Sequence, residues 1–242
     1  MRRAALIFAV AGLMASTGCG TPADRLAASA PEIAPVLAAL GERDRAAVDA
    51  VVRATDVHAA DAPETTRARL HVYLRADIVP VFVPRAGDDA VRDYAAATLA
   101  ELEALRDRSY YRCHAFLFGD RSDDAARIEL ENALPPTVRE KSLRALAALI
   151  ESARDALIPV DDAMVNDALD RVVQPLMPAR YSERVVRFRA SDIRILDTAT
   201  ACDVTIDLLR VAADLPSPEG PLLRRHLLTR LALPDPDEGV AP

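Results

Sequence analysis

A chain of 242 residues, of which 51% are hydrophobic, is long enough to bury one substantial core or two small ones. Its net charge of −7 makes most of its surface repel nucleic acid and anionic lipid, which disfavours a nucleic-acid-binding protein. Beyond the first eighteen residues no window of 18 uncharged residues remains, so the sequence predicts no transmembrane helix there.

The first nineteen residues have the arrangement of an export signal. Arg2 and Arg3 form a positive head, residues 4–15 are uncharged and mostly apolar, residues 16–18 are small, and Cys19 follows. The apolar run is shorter than the roughly 20 residues that cross a bilayer core. The stretch resembles the signal of a bacterial lipoprotein, which implies that residues 1–18 are an export signal and that Cys19 is lipidated. Ordinary cleavage with release, or an uncleaved anchor, are the alternatives.

The residues that follow Cys19 indicate how the body is held. In the lipoprotein pattern, Gly20 after the lipidated cysteine implies transfer to the outer membrane, with the body facing the periplasm. Residues 20–35 are small and polar and contain three prolines. We therefore expect residues 19–35 to form the lipidated cysteine and a flexible tether.

Residues 36–233 show helical periodicity and no alternating strand pattern. Glycines and prolines fall between the periodic stretches, where they end helices or make turns. The predicted helices span 42–60, 63–78, 88–105, 135–158, 161–175, 195–213 and 219–233, and the stretch 106–121 is a candidate for a further one. Asp161 is expected to cap the helix at 161–175. The run 79–83 is β-branched, but Pro80 and Pro84 favour an extended connector over a strand.

The sequence therefore predicts an all-α fold, a helical bundle of about seven to nine helices with short connections marked by Pro or Gly. We expect residues 36–233 to form a single all-helical domain, followed by a disordered acidic tail at 234–242. The one plausible internal boundary lies at 134–137, which keeps a two-domain body as the alternative.

Apart from Cys19, the cysteines are Cys113 and Cys202. In an oxidising compartment such a pair can persist as a disulfide. Both cysteines lie in strongly apolar surroundings, however, and Cys202 falls on the buried stripe of its predicted helix. Two unbonded buried thiols explain the pattern equally well.

The stretch 106–121 concentrates aromatic and arginine side chains. Four of the ten aromatic residues fall within nine positions. Aromatic faces supply contact area and arginine forks bind anions, so the stretch is a possible ligand wall. The alternative is a central core helix filled with the large side chains available. The candidate wall residues are Tyr110, Tyr111, Arg112, Phe116 and Phe118.

A second cluster of charge lies further along the chain. If residues 180–187 are helical, Arg180, Arg184 and Arg187 share one face and form a possible basic contact strip. Such a strip could dock onto anionic head groups or an acidic partner. A solvated face, or one paired with carboxylates elsewhere in the fold, is the alternative.

No catalytic or metal-binding signature is recognisable. The four histidines are scattered, and the sequence has no HExxH, nucleophile elbow, Walker loop or dinucleotide fingerprint. We therefore expect no cofactor and no metal. An enzyme is disfavoured but stays open, because residues distant in sequence can converge in space.

These observations favour a lipid-anchored, periplasm-facing envelope protein that acts through protein contacts, as an accessory or scaffold subunit with an envelope protein partner. The alternative is a small-molecule or lipid-binding helical domain, and an unrecognised hydrolase is a third hypothesis. A deep apolar cavity beside Tyr111 would favour the binding domain. A convergent acid, base and nucleophile would favour the enzyme, and a closed interior with an exposed apolar patch would favour the scaffold.

Overall fold

The described part of the chain is built from helices and short connections. The computed structural model describes residues 21–55, 62–119, 123–178, 181 and 196–232. These residues form eleven continuous helical segments. They are α1 (Pro22–Ser29), α2 (Pro31–Ile33 continued by Ala34–Ala39), α3 (Glu42–Thr55), α4 (Ala62–Tyr73 continued by Leu74–Ile78 and Val79–Phe82), α5 (Asp88–Arg108), α6 (Tyr110–Phe118), α7 (Asp124–Ala133), α8 (Pro136–Ser152), α9 (Asp162–Ala168 continued by Leu169–Val173 and Gln174–Leu176), α10 (Thr198–Asp214) and α11 (Glu219–Ala232).

The all-α fold class is confirmed, since no strand occurs among the described residues. The expected count of seven to nine helices is wrong, because the described ranges alone contain eleven helical segments. Three segments account for the difference: α1, α2 and α7. Each of them has at most ten residues, too few for a long repeating stripe of apolar side chains to stand out in the sequence.

Residues 22–29 and 31–35 are helical where a flexible tether was expected. Thr21 caps α1, because its hydroxyl accepts from the Asp24 amide at 3.2 Å and its own amide donates to the Asp24 carboxylate at 3.0 Å. Pro22 and Pro31 lie at the starts of α1 and α2, and Pro35 lies at the start of the α-helical part of α2, Ala34–Ala39, where a missing N–H removes no helical hydrogen bond. Ala23, Leu26 and Ile33 are buried, so this segment packs on the body.

Residues 79–82 continue α4 as a helix, which corrects the predicted extended connector. A π turn at Leu74–Ile78 precedes Pro80, and the Val79 amide bonds to the Leu74 carbonyl. The wider turn re-routes the backbone hydrogen bonds around the proline, which has no amide hydrogen and would otherwise break the helix. The same arrangement recurs in α9, where the π turn Leu169–Val173 precedes Pro175.

Helix α8 ends at Ser152, several residues before the predicted stop at Pro159. The chain that follows hydrogen-bonds to the α4–α5 connection instead of continuing the helix. The Arg154 amide donates to the Arg85 carbonyl at 3.1 Å, and the Ile158 amide donates to the Pro84 carbonyl at 2.7 Å. These tertiary hydrogen bonds outweigh the helical pattern that the sequence shows over residues 153–157.

The buried side chains form two clusters. The first core is built mainly from α1–α4, the first half of α5 and α8. The second core is built mainly from the second half of α5, α6, α9 and α10. Helices α5 and α11 contribute to both, with Val91 and Leu228 in the first core and Leu102 and Leu227 in the second. These two helices therefore join the cores.

A disulfide lies inside the second core. Cys113 of α6 and Cys202 of α10 are bonded, with their Cα atoms 5.9 Å apart, and both residues are fully buried. The bond therefore ties α6 to α10, and it fixes the helix that carries the aromatic cluster.

Candidate ligand-binding site

A cavity of about 220 Å³ lies between α4, α6 and α7, with one residue of α11 at its base. Tyr111 stands at its edge with 71% of the residue exposed. The apolar side chains that line the cavity are Ala68, Val72, Ala115, Phe116, Ala126, Leu130 and Leu231. The polar and charged ones are His71, Arg75, Tyr111, Asp123, Arg127 and Glu131.

Small residues on the facing helices leave this volume unfilled. Ala68 of α4, Ala115 of α6 and Ala126 of α7 each present only a methyl group. Gly119 ends α6, and its amide donates to the Ala115 carbonyl at 2.8 Å. A Cβ at Gly119 would overlap that same carbonyl oxygen, so glycine is required where α6 turns away beside the cavity.

Three charged side chains of the cavity lining, His71, Arg75 and Glu131, meet a fourth, Glu101, which is buried behind them. We call these four residues the buried charge cluster. His71 Nδ1 donates a hydrogen bond to Glu131 Oε1, and His71 Nε2 lies 3.9 Å from Glu101 Oε1. Arg75 Nη1 lies 3.7 Å from Glu101 Oε2. The Glu101 side chain is only 2% exposed. Four charges from α4, α5 and α7 therefore meet in a largely dehydrated space.

The protonation of His71 follows from these neighbours. Burial lowers the pKa of the His71 imidazole, but the charge and hydrogen bond of Glu131 and the charge of Glu101 outweigh burial, so the pKa is raised above 6.5. Arg75, whose charge opposes this shift, does not cancel it. The charged imidazolium is therefore favoured, and in that state the cluster contains two positive and two negative charges.

Arg75 also contacts the aromatic wall. Its guanidinium carbon lies 3.6 Å from the centroid of the Phe116 ring, the geometry of a cation–π contact. Arg75 Nη1 and Glu101 Oε1 are buried and have no hydrogen-bond partner among the described residues. The cluster is therefore charge-balanced but incompletely hydrogen-bonded.

Two of the five residues expected in the ligand wall, Tyr111 and Phe116, line the cavity. The other three point to different surroundings. Tyr110 is exposed on the surface, and Arg112 pairs with Glu129, with 2.8 Å between Nη2 and Oε1. Phe118 packs against His114, with the ring centroids 5.2 Å apart.

Sequence reasoning missed the charged half of the site. His71 and Arg75 are four residues apart on α4, and Arg127 and Glu131 are four residues apart on α7, so each pair shares one helix face. That spacing is the available signal. The sequence gives no such signal for Glu101, because a glutamate in a long helix is ordinarily exposed to solvent.

Some predicted functional residues lie outside the described ranges: Cys19 and the basic contact strip of Arg180, Arg184 and Arg187. Within those ranges, no group of three or more His, Cys, Asp or Glu side chains is placed to hold a metal ion. None of the described helices combines the length and apolarity needed to cross a bilayer. The comparisons with protein-family models, curated proteins and solved structures find no match to this chain.

Proposed function

We propose that this protein binds a small organic molecule in the cavity between α4, α6 and α7. The observation that carries the proposal is the cavity itself, which combines an aromatic and aliphatic wall with charged groups at one end. Binding sites for small molecules are characteristically concave, mostly apolar and supplied with a few polar groups that orient the ligand. The volume of about 220 Å³ has room for several water molecules. A compound of one or two rings fits that space.

The chemistry of the lining favours binding over catalysis. The described lining residues include an acid–base pair, His71 with Glu131, but no serine, threonine or cysteine. Both nitrogens of His71 face carboxylates, Glu131 on one side and Glu101 on the other. The imidazole therefore holds helices together and is not directed at a nucleophile.

Filling the cavity tests this proposal. Ala126→Leu adds three carbon atoms on the face of α7 that lines the cavity. Ala125→Leu adds the same group to the preceding residue, which is exposed. The probes are naphthalene-2-methanol and naphthalene-2-carboxylate. For each probe, we expect the Ala125→Leu variant to bind with the same affinity as the unsubstituted chain, and the Ala126→Leu variant to bind about tenfold more weakly or worse. Binding is measured by calorimetry. Equal affinities of the two variants would show that the probe does not bind in the cavity.

The proposal includes a location at the cell envelope, with Cys19 lipidated and the body facing the periplasm. The disulfide between Cys113 and Cys202 supports an oxidising compartment. The resemblance of residues 1–19 to a lipoprotein signal supports the anchor. Incorporation of labelled palmitate into the full chain, lost on Cys19→Ala, is the expected result. Unlabelled full chain in the soluble fraction would overturn this part alone.

A second candidate function is contact with an envelope protein. Large apolar side chains stand exposed on the described surface, with Leu157 at 62%, Leu176 at 58% and Met164 at 54%. Apolar side chains that form one contiguous exposed patch are typical of surfaces that meet a partner, so this function requires these residues to act together. Crosslinking in intact cells should trap the same partner with the unsubstituted chain and lose it with Leu157→Ser. A partner still trapped by variants at all three positions would contradict this function.

A further inference from the structure

The charged end of the cavity also indicates which class of small molecule fits it. Arg75 has five N–H donors. Its contacts are the Glu101 carboxylate, 3.7 Å from Nη1 and so beyond hydrogen-bond length, and the face of Phe116. No hydrogen bond joins the Arg75 side chain to any described residue, and Nη1 is buried without one. Nη1 is buried, but 18% of the Arg75 side chain is exposed, so the exposed part of the guanidinium has donors to offer a ligand in the cavity.

The two carboxylates that line the cavity already have hydrogen-bond donors. Glu131 accepts from His71, and Asp123 caps α7, where its carboxylate accepts from the Ala126 amide at 3.0 Å. Glu101 has a buried oxygen without a hydrogen-bond partner, but this residue lies behind those that line the cavity. A cationic ligand would therefore compete for engaged carboxylates, and an anionic one would give Arg75 the acceptors that it lacks.

Arginine is suited to a carboxylate in particular. The guanidinium edge presents two parallel N–H groups that match the two oxygens of a carboxylate. Stacking on Phe116 holds the plane of the guanidinium and restricts its rotation. Next to this charged end, Val72, Ala115 and Leu130 offer an apolar wall for the rest of the ligand.

We infer that the cavity takes an apolar monocarboxylate, whose anionic group hydrogen-bonds to Arg75 while its ring or chain lies against α6 and α7. This inference rests on the proposed function. Beyond the proposed function, it specifies that the ligand is an anion and that Arg75 recognises the anionic group.

Three probes of similar size test the charge preference: naphthalene-2-carboxylate, naphthalene-2-methanol and the cation of naphthalen-2-ylmethanamine. Binding to the full chain is measured by calorimetry, with detergent alone as the blank. The carboxylate should bind about tenfold tighter than the alcohol or more, because hydrogen bonds between charged groups are stronger than those between a charged and a neutral group. The amine should bind most weakly.

Substitutions at Arg75 then test the residue. Arg75→Met should reduce the affinity for the carboxylate to that for the alcohol. This change leaves Glu101 without its nearby arginine. The double variant Arg75→Met with Glu101→Gln removes both charges, and the same binding measurement is made on it if the single variant does not fold. Arg112→Met is the matched control on α6, since Arg112 pairs with Glu129 away from the cavity. It should keep the preference for the carboxylate.

The outcomes separate the inference from the proposed function. If the alcohol or amine binds as tightly as the carboxylate and Ala126→Leu still weakens it, the ligand class is wrong and the cavity remains a binding site. If the double variant keeps the carboxylate preference, Arg75 is not the recognising group. If none of the three probes binds, the proposed function itself fails.

Discussion

The two cores of this protein are closed by different means. The second core contains a covalent link, the disulfide between Cys113 and Cys202. The described part of the first core has no such link, and a buried arginine holds its edge. Arg225 of α11 donates to the Ala86 carbonyl at 2.7 Å and pairs with Asp88 at 2.6 Å. The second core thus contains a covalent link that a reductant can break, whereas the edge of the first core is joined by the hydrogen bonds and ion pair of Arg225.

The difference bears on the cavity because its walls come from both halves. Helix α4 belongs to the first core and α6 to the second. The disulfide fixes α6 on one side, and on the other the buried charge cluster joins α4 to α5 and α7. A rigid aromatic wall therefore faces a polar floor held by ionic contacts. Four predictions probe this contrast.

The largest expected effect comes from removing the disulfide. Replacing Cys113 and Cys202 together by alanine frees a loop with a sequence separation of 89 residues. In the chain-entropy treatment, such a cross-link contributes about 4 to 5 kcal/mol to the free energy of unfolding. Urea unfolding of the variant and of the reduced unsubstituted chain should show the same loss. A loss below about 1 kcal/mol would mean that the bond does not stabilise the second core.

Removing the arginine that closes the first core should cost less. Arg225→Met leaves the Ala86 carbonyl without its buried donor, and we expect a loss of about 2 to 3 kcal/mol in the same unfolding measurement. Arg230→Met, at an exposed position on the same helix, is the control and should change stability by less than about 0.5 kcal/mol. Similar losses for the two variants would show that Arg225 is not a specific closure.

Two histidines should give opposite pH dependences. The pKa of His71 is raised, so its stabilisation is complete below pH 6.5 and is lost as pH rises through the folded-state pKa. Burial lowers the pKa of His226, so its contribution is present above pH 6.5 and is lost as pH falls through its folded-state pKa. The free energy of unfolding should be measured against pH for each variant. His71→Gln should remove the loss of stability at rising pH, and His226→Gln should remove the loss at falling pH. Slopes of the same sign would contradict the assignment of the charge cluster.

The smallest effect is expected at an exposed ion pair. Arg144 and Glu140 lie one turn apart on α8, with 2.5 Å between Nη1 and Oε1, and both side chains are at least half exposed. Solvent screens such pairs, so Arg144→Ala should lower stability by about 0.5 kcal/mol or less. If Arg144→Ala lowered the free energy of unfolding as much as Arg225→Met does, the claim that buried charges contribute more than surface charges would be wrong.

Much of the helical body could be predicted from the sequence. The predicted stripe on α10 correctly placed Cys202 in the interior, and Asp161 caps α9 as expected, since its carboxylate accepts from the Ala163 amide at 2.7 Å. Long helices with regular stripes and capping residues are well predicted because the local signal is strong.

The remaining features depend on tertiary contacts. The early end of α8 follows from hydrogen bonds to residues 84 and 85, more than 60 positions away. The charged half of the cavity combines α4, α5 and α7, and the two closest partners, His71 and Glu131, are 60 residues apart. No local pattern encodes such convergence. The aromatic cluster was visible, but only the fold decides that Phe116 faces the cavity and that Phe118 packs on His114.

The most direct test of the central claim locates a bound probe in the full chain. With alanine methyl groups labelled, NMR should show contacts between naphthalene-2-carboxylate protons and the methyls of Ala68, Ala115 and Ala126, all of which line the cavity. Ala147, buried in the first core, should show none. Probe contacts to other methyls, with none to these three, would contradict the claim that the space between α4, α6 and α7 is a binding site.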